Sequence, residues 1–92
     1  MKYEIHSTTQ FRKNLKTMEK RGKNISRLTA VIQILGEGEV LPPKYRDHAL
    51  TGNHIGFREC HVEPDWLLVY CVNKTTNTLH LSTTGSHSDL DF

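Results

Sequence analysis

No apolar run in these 92 residues approaches the roughly 20 residues of a membrane-spanning helix. The first ten residues, MKYEIHSTTQ, also lack the apolar core of a secretory signal. No membrane role is expected, and the expected location is the cytoplasm. Cysteine is scarce, with only Cys60 and Cys71. In a reducing compartment both stay thiols. On a hairpin turning near Pro64, Cys60 would face the Leu67–Leu68 region rather than Cys71, so no disulfide is expected. The compact metal-ligand spacings, His-x3-His and Cys-x2-Cys, are missing. There is no internal repeat and no low-complexity tract. The length allows one small domain spanning 1–92, burying roughly 60–65% of its unfolded surface and gaining much from a bound partner.

Charge is present, and unevenly. The formal net charge is +2. Residues 1–46 hold ten Lys/Arg against four Glu, whereas residues 47–92 hold two basic residues against six acidic ones. Five of the six histidines (His48, His54, His61, His80, His87) also lie in the second half. The division points to a basic surface for a polyanion and a separate imidazole-rich region for chemistry. The plainer reading of the charge run is a solvated helix face.

Residues 2–5 read as a short strand. Ser7 and Gln10 then fit a capping box, followed by Phe11, Leu15 and Met18 at helical spacing. Gly22 ends this helix and Asn24 caps the next, in which Leu28, Val31, Ile32 and Leu35 form an apolar stripe that Gly36 stops. Residues 36–53 are Gly- and Pro-containing without a sustained period, and carry Lys44, Tyr45, Arg46, Asp47 and His48. A loop this long in a small domain is functional or disordered. Three strands follow, at 55–62, 66–72 and 78–84, with connections short enough for antiparallel hairpins. The fold class is α+β: a strand, an αα-hairpin and a β-meander, with the helix pair on one sheet face.

In such a meander His61 and Asp65 share one end of the sheet, and the third strand returns His87 to it. His48 joins them only if the long loop folds back. Two or three imidazoles, a carboxylate, and the cations Arg46 and Arg58 suit cleavage of RNA through its own 2′-hydroxyl. That reaction needs a base for the hydroxyl, an acid for the departing 5′-oxygen and cations for the phosphorane. Trp66 could stack on a base, although an indole at the start of a strand is more often core. His6, His54 and His80 are assigned no function. Two His with one Asp could form a facial triad for a metal. Arginine nearby repels a cation, and the expectation is no metal and no cofactor.

The segments YRDHALTGN, GFRECHVEPDWLLVY and TGSHSDL, taken in series, resemble the YafQ branch of the RelE/ParE superfamily, toxins of type II toxin–antitoxin pairs. The likeness spans nearly the whole chain. It implies an mRNA endoribonuclease acting on codons in the ribosomal A site and held inactive by a RelB/DinJ-like antitoxin, with operator DNA bound through the antitoxin complex. His48 matches the histidine of the family's DHxL segment; His61, Asp65 and Trp66 match HVEPDW; His87 matches the histidine after TG. The resemblance makes His87 the acid for the 5′-oxygen, and His48 or His61, with Asp65, the group that activates the 2′-hydroxyl or binds the phosphate. The family's C-terminal aromatic directly follows a Leu, whereas here Leu90 is followed by Asp91 and then Phe92. Lys13, Lys16, Lys20, Arg21 and Lys23 would meet ribosomal RNA phosphates. Two other readings fit the superfamily: a ParE-like toxin that binds a protein such as gyrase, and an inactive antitoxin-binding relative.

Overall fold

A computed structural model describes residues 2–90, so Phe92 lies outside the described residues. β1 (Glu4–Ser7) leads into α1 (Thr9–Lys20) and α2 (Ile25–Gly36). Then come β2 (His48–Ala49), β3 (Arg58–Glu63), β4 (Trp66–Asn73), β5 (Thr78–Gly85) and the one-turn α3 (His87–Leu90). The strands form one sheet in the order β1-β5-β4-β3-β2. β2 to β5 make an antiparallel meander. β1 instead runs parallel to β5, with Glu4 opposite Thr78 and Ser7 opposite Leu81. The expected α+β class is observed, and the expected strand, helix pair and three-stranded meander occur in that order, with β2 and α3 in addition.

Helix ends differ from expectation in instructive ways. The N-cap of α1 is Thr8, whose Oγ1 accepts from Phe11 N at 2.9 Å, and not Ser7. Ser7 is taken up in the β1 ladder, so the helix starts one residue later. Gly22, at φ +79°, does end α1: Lys23 N donates to Met18 O and Gly22 N to Glu19 O, the double closure of a Schellman turn. In α2 the cap Asn24 is as expected, its Oδ1 accepting from Ser26 N. The stop moves from Gly36 to Gly38, which has φ +76° and the same pair of closing bonds. The strand expected from residue 55 begins at Arg58, because Gly56 sits at φ +95° and Phe57 N closes a turn onto His54 O.

Residues 36–53 take up local structure. Leu41 is buried, Pro43–Tyr45 and Gly52–His54 form short 3-10 turns, and β2 adds a fifth strand to the sheet. The core packs Phe11, Met18, Leu28, Val31 and Leu35 of the helices against Cys60, Val62, Trp66, Leu68, Tyr70, Leu79 and Leu81 of one sheet face. Strand alternation sends Glu59, His61, Leu67 and Val69 to the other face. His48 joins them opposite Glu59. Leu67 and Val69 are nonetheless buried, and Phe57 and Leu90 share a cavity of about 300 Å³ with Val69.

Candidate active site

The β3–β4 turn and the start of α3 meet at one rim of the sheet. Asp65 Oδ1 accepts two hydrogen bonds from His87, one from its backbone N–H at 2.9 Å and one from ring Nδ1 at 2.6 Å. These bonds, the backbone one first, hold the Asp65 carboxyl below the usual carboxylate range. An ionised carboxylate only accepts, so Nδ1 carries the proton and Nε2 of His87 is left for another partner.

The neighbouring imidazoles repeat the pattern. His61 Nδ1 lies 3.3 Å from Pro64 O, and His48 Nδ1 lies 2.9 Å from Arg46 O. Carbonyl oxygens only accept, so each ring donates through Nδ1 and turns Nε2 away from the backbone. The rings stand in a row: His61 and His87 have centroids 5.6 Å apart, His48 and His61 6.3 Å. The structure therefore brings together all four residues expected to do the chemistry, His48 included, since β2 folds the long loop back onto β3.

Among the expected RNA-binding residues, Trp66 needs correction. Its ring is fully buried, and Nε1 donates to Thr84 Oγ1 at 2.9 Å, whose hydroxyl donates on to Leu67 O at 2.6 Å. The indole is core and has no face to offer a base. Arg58 holds Asp47 Oδ2 through Nε and Nη2, while Tyr70 donates to the other oxygen of Asp47. Its charge is thus answered within the fold. Arg46, in a left-handed turn, is exposed and makes no ion pair among the described residues. It lines a cavity of about 540 Å³ with Lys44, Tyr45 and His61.

The basic helix pair also divides. Lys13, Lys16 and Lys20 are exposed and unpaired among the described residues. Lys23 binds Glu63 at 3.1 Å, with Arg27 3.5 Å from the same carboxylate. Arg21 binds Asp89 at 2.5 Å.

A family model for the bacterial toxin of type II toxin–antitoxin systems, YafQ, matches residues 3–91. This chain belongs to the YafQ family. It is 36% identical over 88 residues to the mRNA interferase toxin YafQ of Escherichia coli K12, covering 95% of this chain and 94% of that protein. The YafQ subunit of an E. coli DinJ–YafQ complex superposes with a TM-score of 0.87 at 35% identity, covering 96% of this chain and 97% of that one. A metal-bound toxin from Helicobacter pylori gives 0.90 at 44% identity, over 96% and 98%.

One site residue of this YafQ-family chain escaped the sequence reading. Glu59, buried beside the rings, places Oε1 3.4 Å from His48 Nε2. The signal was its i, i+2 spacing from His61, which puts both on one strand face. His48, Glu59 and His61 each offer a ligand atom, all within 4.8 Å of one another. Imidazoles with a carboxylate fit a transition-metal ion.

Proposed function

We propose that this YafQ-family toxin is an endoribonuclease that cuts mRNA in the ribosomal A site without using a metal ion. The observation that carries the reading is the row of imidazoles whose Nδ1 protons are all committed to protein oxygens. The Nε2 atoms of His61 and His87 are thereby turned outward to take or give a proton, while that of His48 faces Glu59; general acid–base catalysis of this kind contributes about 10²–10⁴-fold. His61 or His48 would take the proton of the 2′-hydroxyl. Its oxygen then attacks phosphorus, and the bond to the 5′-oxygen breaks as His87 protonates that leaving group. The products are a 2′,3′-cyclic phosphate and a free 5′-hydroxyl. Asp65 would keep His87 in the donating tautomer and support its charge. Arg46 and Lys44 would meet the negative phosphorane.

The chain has little surface with which to read a codon, so the ribosome would supply alignment, with Lys13, Lys16 and Lys20 against ribosomal RNA. The partner that silences the toxin would be a DinJ-like antitoxin whose acidic segment covers this basic surface. The site of action would be the cytoplasm. Among the described residues no helix is long and apolar enough to cross a membrane. The test is induction without antitoxin, beside purified protein on programmed ribosomes and on naked mRNA. Codon-specific cuts on ribosomes, weak cutting of naked RNA and an inert His87→Ala variant are expected. DNA damage in place of mRNA cleavage would instead indicate a gyrase-type target.

A second reading concerns metal at the same side chains. His48, Glu59 and His61 have the donor set for a transition ion, and a structurally similar toxin is metal-bound. Such coordination would withdraw the two imidazoles from proton transfer, making the ion an inhibitor. Added Zn²⁺ or Cu²⁺ should slow cleavage and a chelator should restore it; a chelator that abolishes the activity of the protein as purified, with activity returning on added metal, refutes this.

A further inference from the structure

We propose that Arg21 and Asp89 are positioning residues for His87, acting through the short helix that carries it; this rests on the ribonuclease reading above. α3 has four residues, far too few to hold helical geometry unaided. Its first residue is tied to Asp65 across the rim. A second tie runs in the opposite direction. Asp89 Oδ2 accepts from Ser86 N at 2.8 Å, and Ser86 Oγ accepts from Asp89 N at 3.2 Å, so the two residues cap each other around His87. Arg21 then grips the same carboxylate with both prongs, Nη1 to Oδ2 at 2.5 Å and Nη2 to Oδ1 at 2.9 Å.

Arg21 is itself well placed to be an anchor. It caps α1 one turn beyond the buried Met18 and is followed by the Schellman closure at Gly22. At Gly85 a Cβ would come within 2.9 Å of Asp89 Cβ, so the chain turns into α3 with no room for a side chain. His87 is thus held between the β3–β4 turn and the end of α1. The paired guanidinium reassigns Arg21 from phosphate contact to support of the site. An ion pair this exposed contributes little to global stability. Cutting it should therefore appear in the rate and not in the melting temperature.

The experiment uses the full chain on programmed ribosomes, comparing Arg21→Gln, Asp89→Asn and the double variant with wild type and His87→Ala. The single variants should lose on the order of 10–100-fold in kcat, the cost of a slightly misplaced catalytic group. KM for ribosomes and Tm should stay near wild type. The double variant should be no worse than the weaker single, because both cut one link. Amide hydrogen exchange at His87 and Leu90, measured on the toxin alone, should accelerate in all three. A raised KM with unchanged kcat for Arg21→Gln would assign that arginine to RNA and overturn the proposal. Additive losses, wild-type cleavage by Asp89→Asn, unchanged exchange, or a fall in Tm that accounts for the lost cleavage would each overturn it as well. Full activity in His87→Ala would reject the ribonuclease reading instead, while the exchange data still judge the link.

Discussion

Replacing Trp66 by Phe separates a core indole from an RNA-stacking one. In the fold the ring is fully buried and gives its N–H to Thr84 Oγ1, which passes a hydrogen bond to Leu67 O. Phe keeps most of the packing but removes the donor and part of the ring. Thr84 retains its bond to Leu67, so the loss is one buried hydrogen bond plus a small cavity, together about 1–3 kcal/mol. For a domain of this length each kcal/mol moves Tm by roughly 4–8 °C, so Trp66→Phe should melt roughly 4–24 °C lower. Urea denaturation should show the shifted midpoint with an unchanged slope. Below its melting range the variant should cut ribosome-bound mRNA at the wild-type rate. A variant that melts with wild type but binds RNA less tightly would mean the ring is stacking on bases after all, and the packing argument fails.

Other outcomes follow from the same structure. His87→Ala should abolish cleavage while antitoxin binding, measured by titration, persists; retained toxicity removes His87 from its role. Asp65 is held below the usual carboxylate range, so its anchorage of His87 is complete at neutral pH and fades as pH falls from about 3.9 toward the lower folded value. The stability gap between wild type and Asp65→Asn in urea melts should accordingly narrow below pH 4, and a gap that widens there contradicts the assignment. Reversing Lys13, Lys16 and Lys20 to Glu should raise KM for ribosomes and flatten its salt dependence by roughly one unit of slope per lost phosphate contact. Cys60, whose thiol is pushed up to about 12 by burial, should resist a thiol reagent at pH 8 until the chain unfolds, with half-buried Cys71 reacting first.

Much of the site was legible because a meander has a simple geometry. Once residues 58–85 are read as three antiparallel strands, the ends that carry His61, Asp65 and His87 must come together. The Asn24 cap, the Gly22 stop and the apolar stripes of α1 and α2 follow from local pattern alone. What stayed hidden depended on distant partners. Arg21 looks like any surface cation until Asp89, 68 positions later, is seen in its fork. Trp66 carries a family motif and a core position at once, and only the packing shows that its ring is enclosed. Ser7 and Thr8 are equally good caps, and the choice fell to the ladder with Leu81, which claimed Ser7. The direction of β1 likewise depends on where the helix pair delivers it.

That parallel pairing carries a consequence for timing. Among the described residues β1 pairs with β5 alone, and Glu4 must wait for Thr78, 74 positions downstream, before it can enter the sheet. At about 5–20 residues per second of translation, the wait lasts roughly 4–15 s. For most of it the residues of α1 and its cap Arg21 have been synthesised, while His87 does not yet exist. On the proposed function, a nascent toxin would therefore present its basic helices before its proposed catalytic groups, leaving an antitoxin that recognises those helices an interval in which to arrive first.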